Sequence, residues 1–249
     1  MAAESGRSAC KALAAAALFL TALVLIGWGA GELCLSLLES PDLYAVRVVE
    51  EQRTAALTVA AHGVSWAGSG YLLVPAAVML CLVLYRHERI AAAALVSFSC
   101  AGAVAIFYLD KLLVGRPRPP VEHLEAPLHS SFPSGHATLA TAVYLTLALL
   151  LAERTPPARR ALIAGACVLV AAIAVSRVYI GVHYPSDVAA GALLGAGWTL
   201  IAARCVAALG RRRVPRRARG ARARQAESGP LESPASVASA CPDFASPVR

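Results

Sequence analysis

IAAAALVSFSCAGAVAIFYL, residues 90–109, runs for twenty residues without a charged side chain. A helix rises about 1.5 Å per residue, so roughly 20 apolar residues match the about 30 Å hydrocarbon core of a bilayer. The run is therefore read as a membrane-spanning helix. Comparable runs lie at Ala12–Leu38, Gly68–Tyr85, Ser134–Leu151, Ala161–Val175 and Val188–Leu209. The chain accordingly predicts an all-α fold, a polytopic membrane bundle of about six transmembrane helices.

Composition agrees. Of 249 residues, 58% are hydrophobic and 15% charged, whereas a soluble domain averages roughly 45–50% apolar and about 25% charged. The first run is too long for a signal-peptide core and is expected to be a retained span. Ser40-Pro41-Asp42 reads as a turn. Val48–Val59, which interleaves apolar residues with Glu50, Glu51 and Arg53, reads as an interfacial helix. Residues 1–209 are taken as the transmembrane domain. Residues 210–249, rich in Arg, Pro, Ser and Ala, are expected to be a disordered tail.

The net charge of +8 is concentrated in GRRRVPRRARGARAR, residues 210–224. With no nucleic-acid-binding motif or aromatic platform beside it, the block points to a cytoplasmic membrane surface and not to nucleic acid. Arg7, Lys11, Arg86, Arg89, Arg154, Arg159 and Arg160 fall on the same side when both termini are cytoplasmic. The seven cysteines form no CxxC or Cys/His pattern suited to zinc and are read as packing residues.

Lys111, Arg116, Arg118 and Arg177 lie in loops on the opposite, outer side and run against the charge bias. A bound anion supplies the reason. These residues belong to polar islands that interrupt the apolar pattern: KLLVGRPRP from Lys111, PSGH from Pro133, and SRVYIGVHYPSD from Ser176. Ionisable residues at membrane borders are costly and mark function. Lys111, Arg118 and Arg177 can neutralise a phosphate, the arginines through paired hydrogen bonds. Ser134 and Gly135 open a helix whose backbone N–H groups can meet an anion. His183 can attack phosphorus if its second nitrogen is held, and Asp187, four residues on, can hold it. His136 can then move the leaving-group proton. Arg116 is read as a headgroup contact, His62 as an ordinary loop residue, and Glu125 as a residue that could shape the substrate mouth.

Together the islands resemble the signature of the type 2 phosphatidic acid phosphatase family, which shares its site with vanadium haloperoxidases. That signature is a lysine, six residues and Arg-Pro, then Pro-Ser-Gly-His, then Ser-Arg, five residues, His, three residues and Asp. Lys111, Arg118, Pro119, Pro133, Ser134, Gly135, His136, Ser176, Arg177, His183 and Asp187 match it. The resemblance covers residues 68–209. It implies a phosphohistidine on His183, acid/base work by His136, a phosphate pocket from Lys111, Arg118, Ser134, Gly135 and Arg177, and neither cofactor nor metal. It also implies a lipid phosphate or diphosphate entering from the bilayer at the extracytoplasmic face, with isoprenoid and glycerolipid leaving groups both open. The Ala- and Arg-rich composition suggests a bacterial cell envelope. Transfer of phosphate to an acceptor other than water, and lipid-phosphate binding or transport without chemistry, are the alternatives. Oligomeric state is not legible.

Overall fold

The computed structural model describes residues 2–127 and 129–211. The expectation of a disordered tail falls almost wholly on residues 212–249 and lies outside the described residues. The helices are α1 (Ala2–Leu37), α2 (Glu39–Glu51), α3 (Ala55–Ala67), α4 (Gly70–Arg86), α5 (Ile90–Val114), α6 (Gly135–Arg154), α7 (Arg159–Tyr179) and α8 (Pro185–Arg211), with a 3-10 turn at Pro156–Ala158. The described residues contain no strand.

Six stretches are long and apolar enough to cross a membrane: α1 from Ala14, α3 with α4, α5, α6, the 3-10 turn with α7, and α8 to Leu209. Large apolar side chains on their outer faces, such as Val59, Leu112 and Leu193, are exposed. In water such a surface would be an aggregation hazard; against lipid it is the solvated state.

The segment before α4 differs from the sequence expectation. Ser40-Pro41-Asp42 is not a turn but the first turn of α2, where proline's fixed φ and missing N–H do no harm. The expected interfacial helix is broken at residues 52–54, and α3 continues into α4 as one 32-residue apolar stretch. Thr54 and Ser69 accept from the third N–H of α3 and α4, each at 3.3 Å, so each helix starts with its own cap. The carbonyl of Ala67, freed where α3 ends, accepts from the Tyr144 hydroxyl at 2.7 Å. A break inside a bilayer needs such a partner, because lipid provides none.

α6 sits at the centre, touching α4, α5, α7 and α8. Its buried hydroxyls are self-satisfied: Thr138 donates to the Ser134 carbonyl at 2.9 Å and Thr141 to that of Ala137 at 2.7 Å. α8 approaches α6 through Gly191 and Gly195, where a Cβ would run into the carbonyl oxygens of Ser134, which caps α6, and Thr138. Small residues at four-residue spacing allow that closeness. The antiparallel run of α5 to α8 then brings the end of α5, the start of α6, the end of α7 and the start of α8 to one end of the bundle.

Candidate active site

At that end the polar islands converge. Lys111, in the last turn of α5, donates to the Ser130 carbonyl at 2.5 Å, and Ser130 Oγ returns a bond of 2.9 Å to the Lys111 carbonyl. The α5–α6 loop is thus tied to the helix that precedes it. Further along the loop, Arg118 donates from Nε to the His129 carbonyl at 2.9 Å and from Nη1 to the Val182 carbonyl. The same Nη1 lies 3.3 Å from Nε2 of His183. Burial lowers the Arg118 pKa to about 10, helped by the nearby Arg177 and opposed by Asp187. It therefore remains a cation at neutral pH.

Arg177, at the end of α7, is buried. Its Nη1 donates to Ser65 Oγ and to Glu125 Oε2, each at 2.6 Å, while its Nε is buried without a partner among the described residues. An orphaned guanidinium N–H in a buried site is costly, and a phosphate oxygen would satisfy it. Ser134 is fully buried and caps α6, its Oγ 3.5 Å from the Ala137 N–H. A Cβ added at Gly135 would stand 3.3 Å from the Phe107 ring, so a larger residue would need the ring to give way by a few tenths of an ångström. His136 follows in the first turn of α6, with Arg177, His183, Glu125 and Arg118 as the charges acting on it.

His183 is 3% exposed. Its Nδ1 points toward Asp187 Oδ2 across 3.6 Å, beyond hydrogen-bond reach, and has no other partner among the described residues. Such bonds are often long until substrate is bound. Burial pushes the His183 pKa down to about 3; Asp187 pulls it up, and Arg118 and Lys111 press it further down. The imidazole is therefore neutral at pH 7, the form that has a nitrogen lone pair to give.

Asp187 is fully buried. One oxygen accepts from Arg116 at 2.7 Å; the other accepts from Ser131 Oγ at 2.5 Å and from the Tyr184 N–H at 2.9 Å. That last bond is half of a capping box, closed by the third residue of α8 on the residue before it. The capping carboxylate and the histidine-facing carboxylate are one group.

All eight residues singled out for the site, Lys111, Arg118, Ser134, Gly135, His136, Arg177, His183 and Asp187, lie at this end of the bundle. Arg116 does not. Its side chain is 1% exposed, paired with Asp42 and Asp187, so the reading as a headgroup contact is corrected: two buried carboxylates hold it inside. Asp42, Ser65 and His62, which belong to no motif in the sequence, also reach this end of the bundle. His62 Nδ1 lies 3.2 Å from Glu125 Oε1, and both side chains are partly exposed at the site's edge. For Glu125 burial raises the pKa, but the bond from Arg177 and its charge outweigh burial, and His62 adds to them, so the carboxyl sits below its ordinary value. The one signal for Arg116 was a second arginine in a proline-flanked loop.

Residues 90–211 match the PAP2 superfamily. Decaprenylphosphoryl-5-phosphoribose phosphatase of Mycobacterium tuberculosis is 42% identical over 98 residues, which cover 38% of this chain and 50% of that protein. The match thus spans half the length of that relative. The protein of the same name from Mycolicibacterium smegmatis is 35% identical over 160 residues, covering 61% of this chain and 81% of its own. A PAP2-type phosphatidylglycerolphosphate phosphatase from Bacillus subtilis superposes with a TM-score of 0.66 at 23% identity, over 74% of this chain and 93% of that one. That last likeness concerns the fold.

Proposed function

Since this chain belongs to the PAP2 superfamily, we propose that it is a membrane lipid phosphatase working through a phosphohistidine. Substrate phosphate sits among Lys111, Arg118, Arg177 and the N–H groups at the start of α6, which neutralise its charge and hold the equatorial oxygens. Nε2 of His183 attacks phosphorus while Asp187 receives Nδ1–H and stabilises the cation that develops on the ring. The bond to the lipid oxygen breaks, and His136 gives that oxygen a proton. His136 then takes a proton from water, which attacks the phosphohistidine, releasing inorganic phosphate and restoring neutral His183.

One observation carries this reading: a buried imidazole lies between a carboxylate on its Nδ1 side and the Arg118 guanidinium on its Nε2 side. A phosphate-binding protein needs the cations but has no use for that histidine. The substrate class proposed is an isoprenoid-linked phosphate, supported by the names of the mycobacterial relatives. Arg86, Arg89, Arg154, Arg159 and Arg160 lie near the opposite helix ends, which supports an outward-facing site with those residues in the cytoplasm.

The test is phosphate release by detergent-purified protein from isoprenyl phosphates, isoprenyl diphosphates and phosphatidate, with EDTA throughout. Wild type is expected to release phosphate, with vanadate inhibiting as a mimic of the five-coordinate state. His183→Ala and Arg177→Ala are expected to lose roughly a thousandfold or more in kcat/KM. An active His183→Ala would remove the mechanism. Loss of activity in EDTA, restored by a divalent metal, would do the same.

A further inference from the structure

Arg116 is a fourth cation at the site, yet it cannot touch phosphate. Nη1 donates to Ser186 Oγ at 2.8 Å and to Asp187 Oδ1 at 2.7 Å, and Nη2 donates to Asp42 Oδ2 at 2.9 Å. The face of the group lies on the Tyr184 ring, with the guanidinium carbon 4.0 Å from its centre. Burial works against this charge, but Asp187 and Asp42 outweigh it and keep the guanidinium above its ordinary pKa.

Asp42 comes from α2. Besides Arg116, it accepts from the Ser186 N–H at 3.1 Å and from the Ser186 hydroxyl. Asp42, Arg116 and Asp187 thus form a buried chain from α2, through the α5–α6 loop, into the first turn of α8. A carboxylate turns about its Cβ–Cγ bond unless both oxygens are held. Here Arg116 holds Oδ1, while Ser131 and the Tyr184 N–H hold Oδ2. With both fixed, Oδ2 stays 3.6 Å from Nδ1 of His183.

We propose that Arg116, braced by Asp42, is a positioning residue that locks the Asp187 carboxylate in the one orientation able to hold His183. The inference rests on the reading of His183 and Asp187 given above. It makes α2, which supplies no residue to the phosphate pocket, a working part of the site. A forked guanidinium is needed, because it spans two carboxylates at once, which a lysine ammonium on a flexible stem does not reproduce.

The test is a double-mutant cycle in the full-length protein, with kcat normalised to the monodisperse folded fraction and whichever isoprenyl phosphate or phosphatidate micelle the wild type hydrolyses. Arg116→Lys is expected to lower kcat roughly tenfold or more while KM stays within about twofold, since the phosphate contacts are untouched. On an Asp187→Asn background the same change is expected to cost less than about twofold, because its route to the chemistry is already cut. Asp42→Asn, which removes the brace but leaves the Arg116–Asp187 pair, is expected to give a smaller loss with the same dependence on Asp187; it serves if Arg116→Lys does not fold.

Equal losses in the presence and absence of the Asp187 carboxylate would overturn the proposal and leave Arg116 a structural staple. So would folded Arg116→Lys and Asp42→Asn proteins with wild-type kcat. His183→Ala runs alongside. If it is active, or if wild type releases no phosphate, the parent reading falls and takes this one with it; an inactive His183→Ala beside an additive cycle sinks the positioning role alone.

Discussion

Replacing Asp187 by asparagine keeps the size of the side chain and removes its charge. In the proposed attack step a positive charge grows on the His183 ring, whose Nδ1 lies 3.6 Å from Asp187 Oδ2. At an effective dielectric constant of about 20, unit charges at that distance attract by about 4.6 kcal/mol. Arg116, 2.7 Å from the other carboxylate oxygen, already draws on the same negative charge, so half that value, about 2.3 kcal/mol, is a fair lower figure. At about 1.36 kcal/mol per tenfold, kcat for Asp187→Asn is expected to fall roughly 50-fold to about 2,000-fold. KM should change little, because Lys111, Arg118 and Arg177 keep the phosphate. The assay is steady-state phosphate release in micelles at pH 7, with thermal unfolding measured on the same preparation. A folded Asp187→Asn protein within about threefold of wild-type kcat would refute the reasoning, and the role of Asp187 would reduce to capping α8.

Acid stability offers an independent check on the buried imidazole. Burial first, and the nearby cations next, lower the His183 pKa from 6.5 to about 3, so between those values the unfolded chain binds more protons and folding stability rises with pH. The melting temperature is therefore expected to fall as pH drops from about 6.5 toward about 3, and His183→Gln is expected to flatten that slope; an identical slope in the variant would contradict the burial argument. Away from the site, a Cβ at Gly102 would enter the Trp198 indole, which is 2% exposed and donates to the Phe98 carbonyl at 2.9 Å. Gly102→Val is expected to destabilise by roughly 1–3 kcal/mol, read as a lower midpoint in detergent unfolding, and an unchanged midpoint would mean α5 and α8 can part without cost.

The apolar runs were legible because bilayer thickness sets a length and lipid forbids unpaired backbone: residues 90–109 could hardly be anything but a span. The candidate site residues stood out for a related reason. Cations and histidines at span ends are expensive, so their presence at fixed spacing in Lys111–Pro119, Pro133–His136 and Ser176–Asp187 pointed to chemistry. The break between α2 and α3, inside the expected interfacial helix, was missed because hydropathy does not register where Thr54 caps its helix.

Arg116 shows what sequence by itself left open. It stands two residues from Arg118 in one loop, and each of the two is followed by proline. One faces His183 and the other is sealed between Asp42 and Asp187, because α2 and α8, 74 residues back and 71 ahead, close around it. Residue type and spacing determined which groups could bind phosphate. Burial determined what each does, and burial is set by the packing of segments far apart in the chain.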